Sequence, residues 1–160
     1  MAHYPLEPLL RVRTFREKAA EQGVRTSEAV LAEAEKEKKR RQRALAEYHE
    51  WRTLEEDRRY ASIMGQNLSL EELENFKAGF AALALTELEH EEAALAAEEQ
   101  RQKAVTSVHE ARAKFAAARK DTAKIAAHRD IWQEEQQKEA EKTAETELED
   151  FRVPTSVIVA

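Results

Sequence analysis

In the second half of the chain, the hydrophobic positions recur at alternating steps of three and four residues. Starting at Leu73, the step falls on Phe76, Phe80, Leu83, Glu87, His90, Ala94 and Ala97. It then runs on through Arg101, Ala104, Val108, Ala111, Phe115, Ala118, Thr122, Ile125, Arg129 and Trp132. Most of these residues are apolar and the step never slips, so the pattern predicts one long helix with a coiled-coil seam and a left-handed supercoil. Alanine at many seam positions lets helices approach closely but buries little area. The first half carries a less regular stripe, Val24, Ser27, Leu31, Ala34, Lys38, Arg41, Leu45 and Tyr48, in which Lys38 and Arg41 are polar interruptions. Such side chains can lay their stems over a seam and keep their charges in water.

Between the two stripes, Gly65-Gln66-Asn67-Leu68-Ser69 breaks the helical pattern. Gly65 suits the left-handed backbone conformation that commonly ends a helix. Ser69 and Glu72 have capping-box spacing, in which the serine oxygen takes a free backbone N–H and the carboxylate reaches back to the serine N–H. Leu68 and Leu73 stand at the two positions of a hydrophobic staple. A short link between long helices implies antiparallel neighbours. The predicted fold is therefore all-α, a long two-helix antiparallel coiled-coil hairpin over residues 1–151. Its helices run from about 6 to 64 and from about 70 to 151, with a turn at 65–69 and a flexible tail at 152–160. At 1.5 Å per residue the helices would be about 85 and 120 Å long. The unequal lengths predict an unpaired stretch of the second helix beyond about Ala127.

Composition supports long helices over a globule or a disordered chain. Of 160 residues, 36% are charged and only 6% aromatic, with three Gly and three Pro. That mixture also occurs in disordered chains. Here no proline stands between Pro8 and Pro154, and strong helix formers fill the interval. With no cysteine, disulfides and thiolate metal sites are excluded, and a reducing compartment is compatible. The first ten residues lack a signal-peptide pattern and no apolar run could span a bilayer, so a cytoplasmic protein without membrane insertion is expected. A net charge of −6 does not favour nucleic acid as a partner.

Catalytic chemistry finds little purchase. With glycine only at 23, 65 and 79, neither phosphate-binding glycine pattern can be built, and nucleotide hydrolysis has no support. The Glu87-x-x-His90 pair has the spacing of a di-iron ligand motif. No second such pair exists, because Ala46, Thr106 and Ile125 precede His49, His109 and His128 at that distance. A polar seam position is the simpler reading, and no metal or cofactor is expected. The basic run Lys36 to Arg43 is interleaved with Glu37 and follows Glu33 and Glu35, while Gln133 to Asp150 is strongly acidic. The basic run has the composition of a nucleic-acid patch or nuclear signal, but its interleaved glutamates favour a solvated helix face. The alternative for both the basic and the acidic stretch is an electrostatic docking face for proteins. Tyr48, Trp51, Phe76 and Phe80 gather toward the turn, where they either zip the hairpin or anchor a partner. The apolar run Val157-Ile158-Val159 in the tail is either loose or a short strand-like docking peptide.

Tyr48-His49-Glu50-Trp51-Arg52-Thr53-Leu54-Glu55-Glu56-Asp57-Arg58 resembles the YHxWRxxEExR segment of the YscO (SctO) family of type III secretion, with Tyr48, Trp51, Arg52, Glu55, Glu56 and Arg58 as the matching residues. The basic opening from Leu10 to Glu21 is similar to that family's RVxxxRxxxAE start. The resemblance implies a non-enzymatic central-stalk component related to the flagellar protein FliJ and to the coiled coil of the rotary ATP synthase gamma subunit. Its implied partners are the hexameric secretion ATPase and the cytosolic domain of the export gate, with secretion chaperones and the ATPase regulator as further contacts. The implied location is cytoplasmic, peripheral to the apparatus at the inner membrane. By position, the export-gate contact carries over to Leu45, Tyr48, Arg52, Phe76 and Phe80. Leu45 and Tyr48 resemble the LxxY stretch of the flagellar relative, whereas Phe76 and Phe80 rest on location. The alternative is a coiled-coil adaptor or escort for secretion chaperones that does not engage an ATPase ring.

Overall fold

The computed structural model describes the chain from Ala2 to Val157, and its side chains as far as Phe151. Helix α1 runs from Glu7–Ile63 and helix α2 from Leu70–Val157, packed against each other, and no strand occurs among the described residues. Contacts divide the chain into two compact units, residues 24–111 and residues 1–23 with 112–160.

The unit of residues 24–111 contains the turn. Among the described residues Gly65 is the single one with a positive φ, +77°, and Gln66 N–H donates to the Ile63 carbonyl at 3.1 Å. A β-carbon in that conformation would crowd the backbone, which is why glycine ends α1. The capping box closes as its spacing predicts. Glu72 N–H donates to Ser69 Oγ at 3.2 Å, and Ser69 N–H to Glu72 Oε2 at 3.4 Å. Beyond the cap, the α2 positions turned from solvent follow the predicted seam. Leu83, Glu87, Ala97, Ala104 and Val108 are buried, and Phe76, Phe80, His90, Ala94, Arg101 and Ala111 are half-buried. On α1, Val24, Ser27, Leu31, Ala34, Lys38, Leu45 and Tyr48 are half-buried, as the stripe requires. Arg41 is the departure. It is exposed, drawn to Glu37 one turn back at 2.7 Å. Lys38 instead spans the seam to Glu98 at 2.9 Å.

In the unit formed by residues 1–23 and 112–160, the buried residues among those described are Tyr4 and Leu10. A turn from Tyr4 to Glu7, closed by a 3.2 Å backbone hydrogen bond, starts α1 and lays Tyr4 on α2. Its ring lies 5.7 Å from His128 and 5.5 Å from Trp132, and its hydroxyl is 2.5 Å from His128 Nδ1. Arg13 donates to the Asp121 carbonyl at 3.3 Å, and Thr122 Oγ1 donates to the Arg13 carbonyl at 3.2 Å. The half-buried seam continues through Phe115, Ala118, Thr122, Ile125, Arg129 and Trp132.

Two expectations are corrected here. Pairing does not stop near Ala127, because the residues before α1 cover a further stretch of α2. A non-helical segment advances about 3.3 Å per residue where a helix advances 1.5 Å, so a few such residues reach another turn. From Gln137 to Phe151 every residue is exposed, and this is the stretch of α2 without a neighbour. Nor does α2 end at Phe151. Its backbone remains helical to Val157, through Pro154, whose fixed φ suits a helix and whose missing N–H costs one bond. The rest of the expected tail, residues 158–160, lies outside the described residues, and so does most of the Val157-Ile158-Val159 run.

Candidate partner-binding surface

The residues singled out near the turn all lie in the unit of residues 24–111, but they form two groups. In the first, Leu45, Tyr48 and Arg52 occupy successive seam positions of α1, one turn apart, and so share a face. Tyr48 donates its hydroxyl proton to the Leu83 carbonyl at 2.8 Å, and its ring stacks at a tilt 4.9 Å from His90 and 5.6 Å from Trp51. The carbonyl it reaches already belongs to the α2 ladder, so the bond fixes Tyr48 without disturbing the helix. Arg52 donates through Nε to Glu56 at 2.7 Å and through Nη1 to Glu87 across the seam. Glu87 also accepts from His49 Nδ1 at 2.5 Å. These donors, His49 first and then Arg52, hold the Glu87 carboxyl below its ordinary range against the opposing effect of burial.

The second group is nearer the turn. Phe76 and Phe80 are 4.7 Å apart by ring centroid, and Tyr60 of α1 closes a three-ring cluster at 5.6 Å and 4.8 Å from them. Of the five positions expected to meet the export gate, the structure thus gathers Leu45, Tyr48 and Arg52 in one place and Phe76 with Phe80 in another. The two phenylalanines are half-buried, so much of their surface is spent on each other and on Tyr60.

The remaining motif residues build a charged shoulder between the groups. Glu55 accepts from Arg58 at 2.6 Å and from Arg59 at 3.0 Å, and these two bonds pull its pKa down to about 2. Arg59 lies close over α2: a β-carbon at Gly79 would stand 3.1 Å from its Nη1. The conjunction of paired glutamates with arginines at the next turn is thus a set of i,i+3 and i,i+4 ion pairs that stiffen α1.

Three features were not read from the sequence. Tyr60 falls one position off the continued α1 stripe, and equal distances from the turn at 65–69 place it opposite Glu74, two residues short of Phe76, so neither the period nor the count from the turn marks it. The Glu87–His49–Arg52 cluster stands where an isolated polar seam residue was expected, because a 3.5-residue period sets faces without saying which charges meet. The third is the aliphatic part of the outward surface, Leu54, Met64 and Leu70, beyond the Trp51 already weighed as an anchor. Trp51 is 48% exposed beside Tyr48, with Leu54 at 66%, and Met64 and Leu70 at the turn are 78% and 74% exposed. Apolar side chains in water on this scale are what a protein partner would cover.

Two helices with a thin seam, polar bonds across it and aromatic side chains left in water define a coiled-coil hairpin protein. Its family is specific. The model of the type III secretion protein YscO matches residues 6–154, and the chain belongs to that family. It is similar to the crystal structure of type III secretion protein YscO from Vibrio parahaemolyticus, with a TM-score of 0.86 and 27% identity over 91% of this chain and 92% of that one. The structure of a putative YscO homolog, CT670 from Chlamydia trachomatis, shares the fold at a TM-score of 0.76 and 22% identity, over 94% and 93% of the two chains. No curated protein matches the sequence. No helix among the described residues is long and apolar enough to cross a membrane.

Proposed function

We propose that the chain is a non-enzymatic central-stalk component of a type III secretion system, linking the hexameric secretion ATPase to the cytosolic domain of the export gate. Membership of the YscO family carries this reading. The exposed pair Trp51 and Leu54, beside the Tyr48–Arg52 face, supports a protein contact near the turn. In this reading the gate meets Leu45, Tyr48 and Arg52 together with Trp51, while Phe76 and Phe80 shape the adjoining surface. The chain works in the cytoplasm, at the periphery of the apparatus on the inner membrane, and meets secretion chaperones and the ATPase regulator there.

The stalk makes and breaks no bond. An asymmetric helical pair inside a ring touches the ring subunits unequally, and a ligand biases a set of conformations by its difference in affinity among them. Coupling then amounts to unequal contact energy in the ATPase states. Titrating the cognate ATPase with the purified chain tests this directly. Complex formation with a changed hydrolysis rate is expected. Saturating protein that forms no complex and leaves the rate unchanged would remove the stalk and leave an adaptor or chaperone escort.

A further inference from the structure

Beside the turn that starts α1, a cavity of about 710 Å³ opens between the N-terminal residues and α2. His3, Tyr4, Glu7 and Arg11 line one side, and Arg129 and Trp132 line the other. Tyr4 is held in the wall by His128 and Trp132. Two arginines against one glutamate leave the lining one positive charge in excess. That excess stands out in a chain of net charge −6.

Arg129 is the unusual member. Its Nε is buried and has no hydrogen-bond partner, and among the described residues it is the one side-chain atom in that condition. A guanidinium carries its donors in a planar fork that suits a carboxylate, and an unmet buried donor costs free energy comparable to a lost hydrogen bond. The seam around it is otherwise apolar or small, with Ile125, Ala126 and Trp132 nearby in sequence. A hydrocarbon side chain would fill such a position without that cost.

We propose that this cavity binds a single carboxylate, carried by an acidic residue with an apolar neighbour in a partner polypeptide. The carboxylate bridges Arg129 and Arg11, turning the Arg129 fork so that Nε–H and an Nη–H are both met, and the apolar neighbour lies on Trp132. The one-charge excess fits a monoanion better than a phosphate dianion, and the Glu7 carboxylate in the lining repels a second negative charge. This site is separate from the gate contact and does not rest on the stalk reading.

The test is nitrogen–proton spectroscopy of the full chain, following the arginine Nε–H and tryptophan Nε1–H signals. The probes are acetyl-Leu-Glu-amide, its isostere acetyl-Leu-Gln-amide, and inorganic phosphate. The Glu peptide is expected to shift Arg129 Nε–H and Trp132 Nε1–H with a Kd on the order of 1 mM, and the Gln peptide to bind at least about tenfold more weakly. Arg129→Gln should abolish the response. Arg11→Gln, a change at an exposed position that leaves the seam intact, should weaken it severalfold, and Arg129→Lys should restore only part. Equal shifts with the Glu and Gln peptides would overturn the proposal. So would saturation by phosphate at lower concentration than the Glu peptide, or an undiminished response in Arg11→Gln.

Discussion

The unit of residues 24–111 and the unit of residues 1–23 with 112–160 use the same two helices but hold them by different means. The first is bonded across its seam by charge and hydroxyl groups: Lys38 to Glu98, Arg52 and His49 to Glu87, and Tyr48 to the Leu83 carbonyl. Leu83, Ala97, Ala104 and Val108 are its buried apolar residues, and no side chain in the described chain is fully buried. The second unit relies on one aromatic clasp, Tyr4 on His128 and Trp132, backed by Leu10 and by Arg13 with Asp121. From Gln137 to Phe151 every residue of its α2 is exposed. A helix pair too thin for a core therefore gains specificity from a few well-placed contacts, and single residues carry unusual weight in each unit.

Leu83→Ala should have the largest effect on stability. It removes the largest buried aliphatic side chain of the seam, at a cost of about 2 kcal/mol in urea unfolding followed by circular dichroism. A loss as small as that of an exposed residue would mean that the polar bonds, not Leu83, hold this unit. Tyr4→Ala comes next, at about 1–2 kcal/mol from lost ring packing. Its signature is local, with faster amide exchange around His128 to Trp132 and unchanged exchange around Glu87. Exchange that rose equally in both places would erase the distinction between the units.

Glu87 separates geometry from charge. Glu87→Ala should lower the melting temperature, because Arg52 and His49 lose their shared acceptor. Glu87→Leu strands the same two donors but fills the buried seam position with hydrocarbon, so it should lower the melting temperature less than Glu87→Ala. If both changes destabilised equally, the cluster would matter for more than its desolvation. Acid should then weaken the first unit through Glu98, whose pKa is drawn down to about 2 by Arg101 and by Lys38 across the seam. A carboxyl with a folded pKa below its unfolded value of 4.5 contributes stability that is complete above pH 4.5. That contribution is lost as pH falls toward 2. The melting temperature should fall over that window, and Glu98→Gln should flatten the fall. The smallest effect is expected at Phe151, which is 85% exposed on the unpaired stretch. Phe151→Ser should change stability by no more than about 0.5 kcal/mol.

Much of this was legible because helices announce themselves by period and by caps. The α2 seam from Phe76 to Trp132 and the Gly65–Ser69–Glu72 turn read directly from spacing, since backbone geometry dictates both. The α1 stripe was legible except at Arg41, where a flexible arginine could choose between the seam and Glu37 and took the nearer carboxylate. The polar bonds across the seam were not legible, because long side chains of the right charge stand at many positions and only the packed register selects Lys38 with Glu98. Tyr4 escaped notice since it precedes the helix and belongs to no repeat. The candidate surface was half legible. The family motif marked Tyr48, Trp51 and Arg52, while the division of the aromatics into a Tyr48 group and a Tyr60 group depends on the pairing across the turn.

The most direct test of the stalk reading is pulldown of the purified chain with its cognate secretion ATPase and with the soluble export-gate domain. Binding to both is predicted, and Tyr48→Ala combined with Trp51→Ala should lose the gate while retaining the ATPase. A chain that circular dichroism shows to be helical but that binds neither partner would contradict the stalk, and undiminished gate binding by the double variant would contradict the proposed surface.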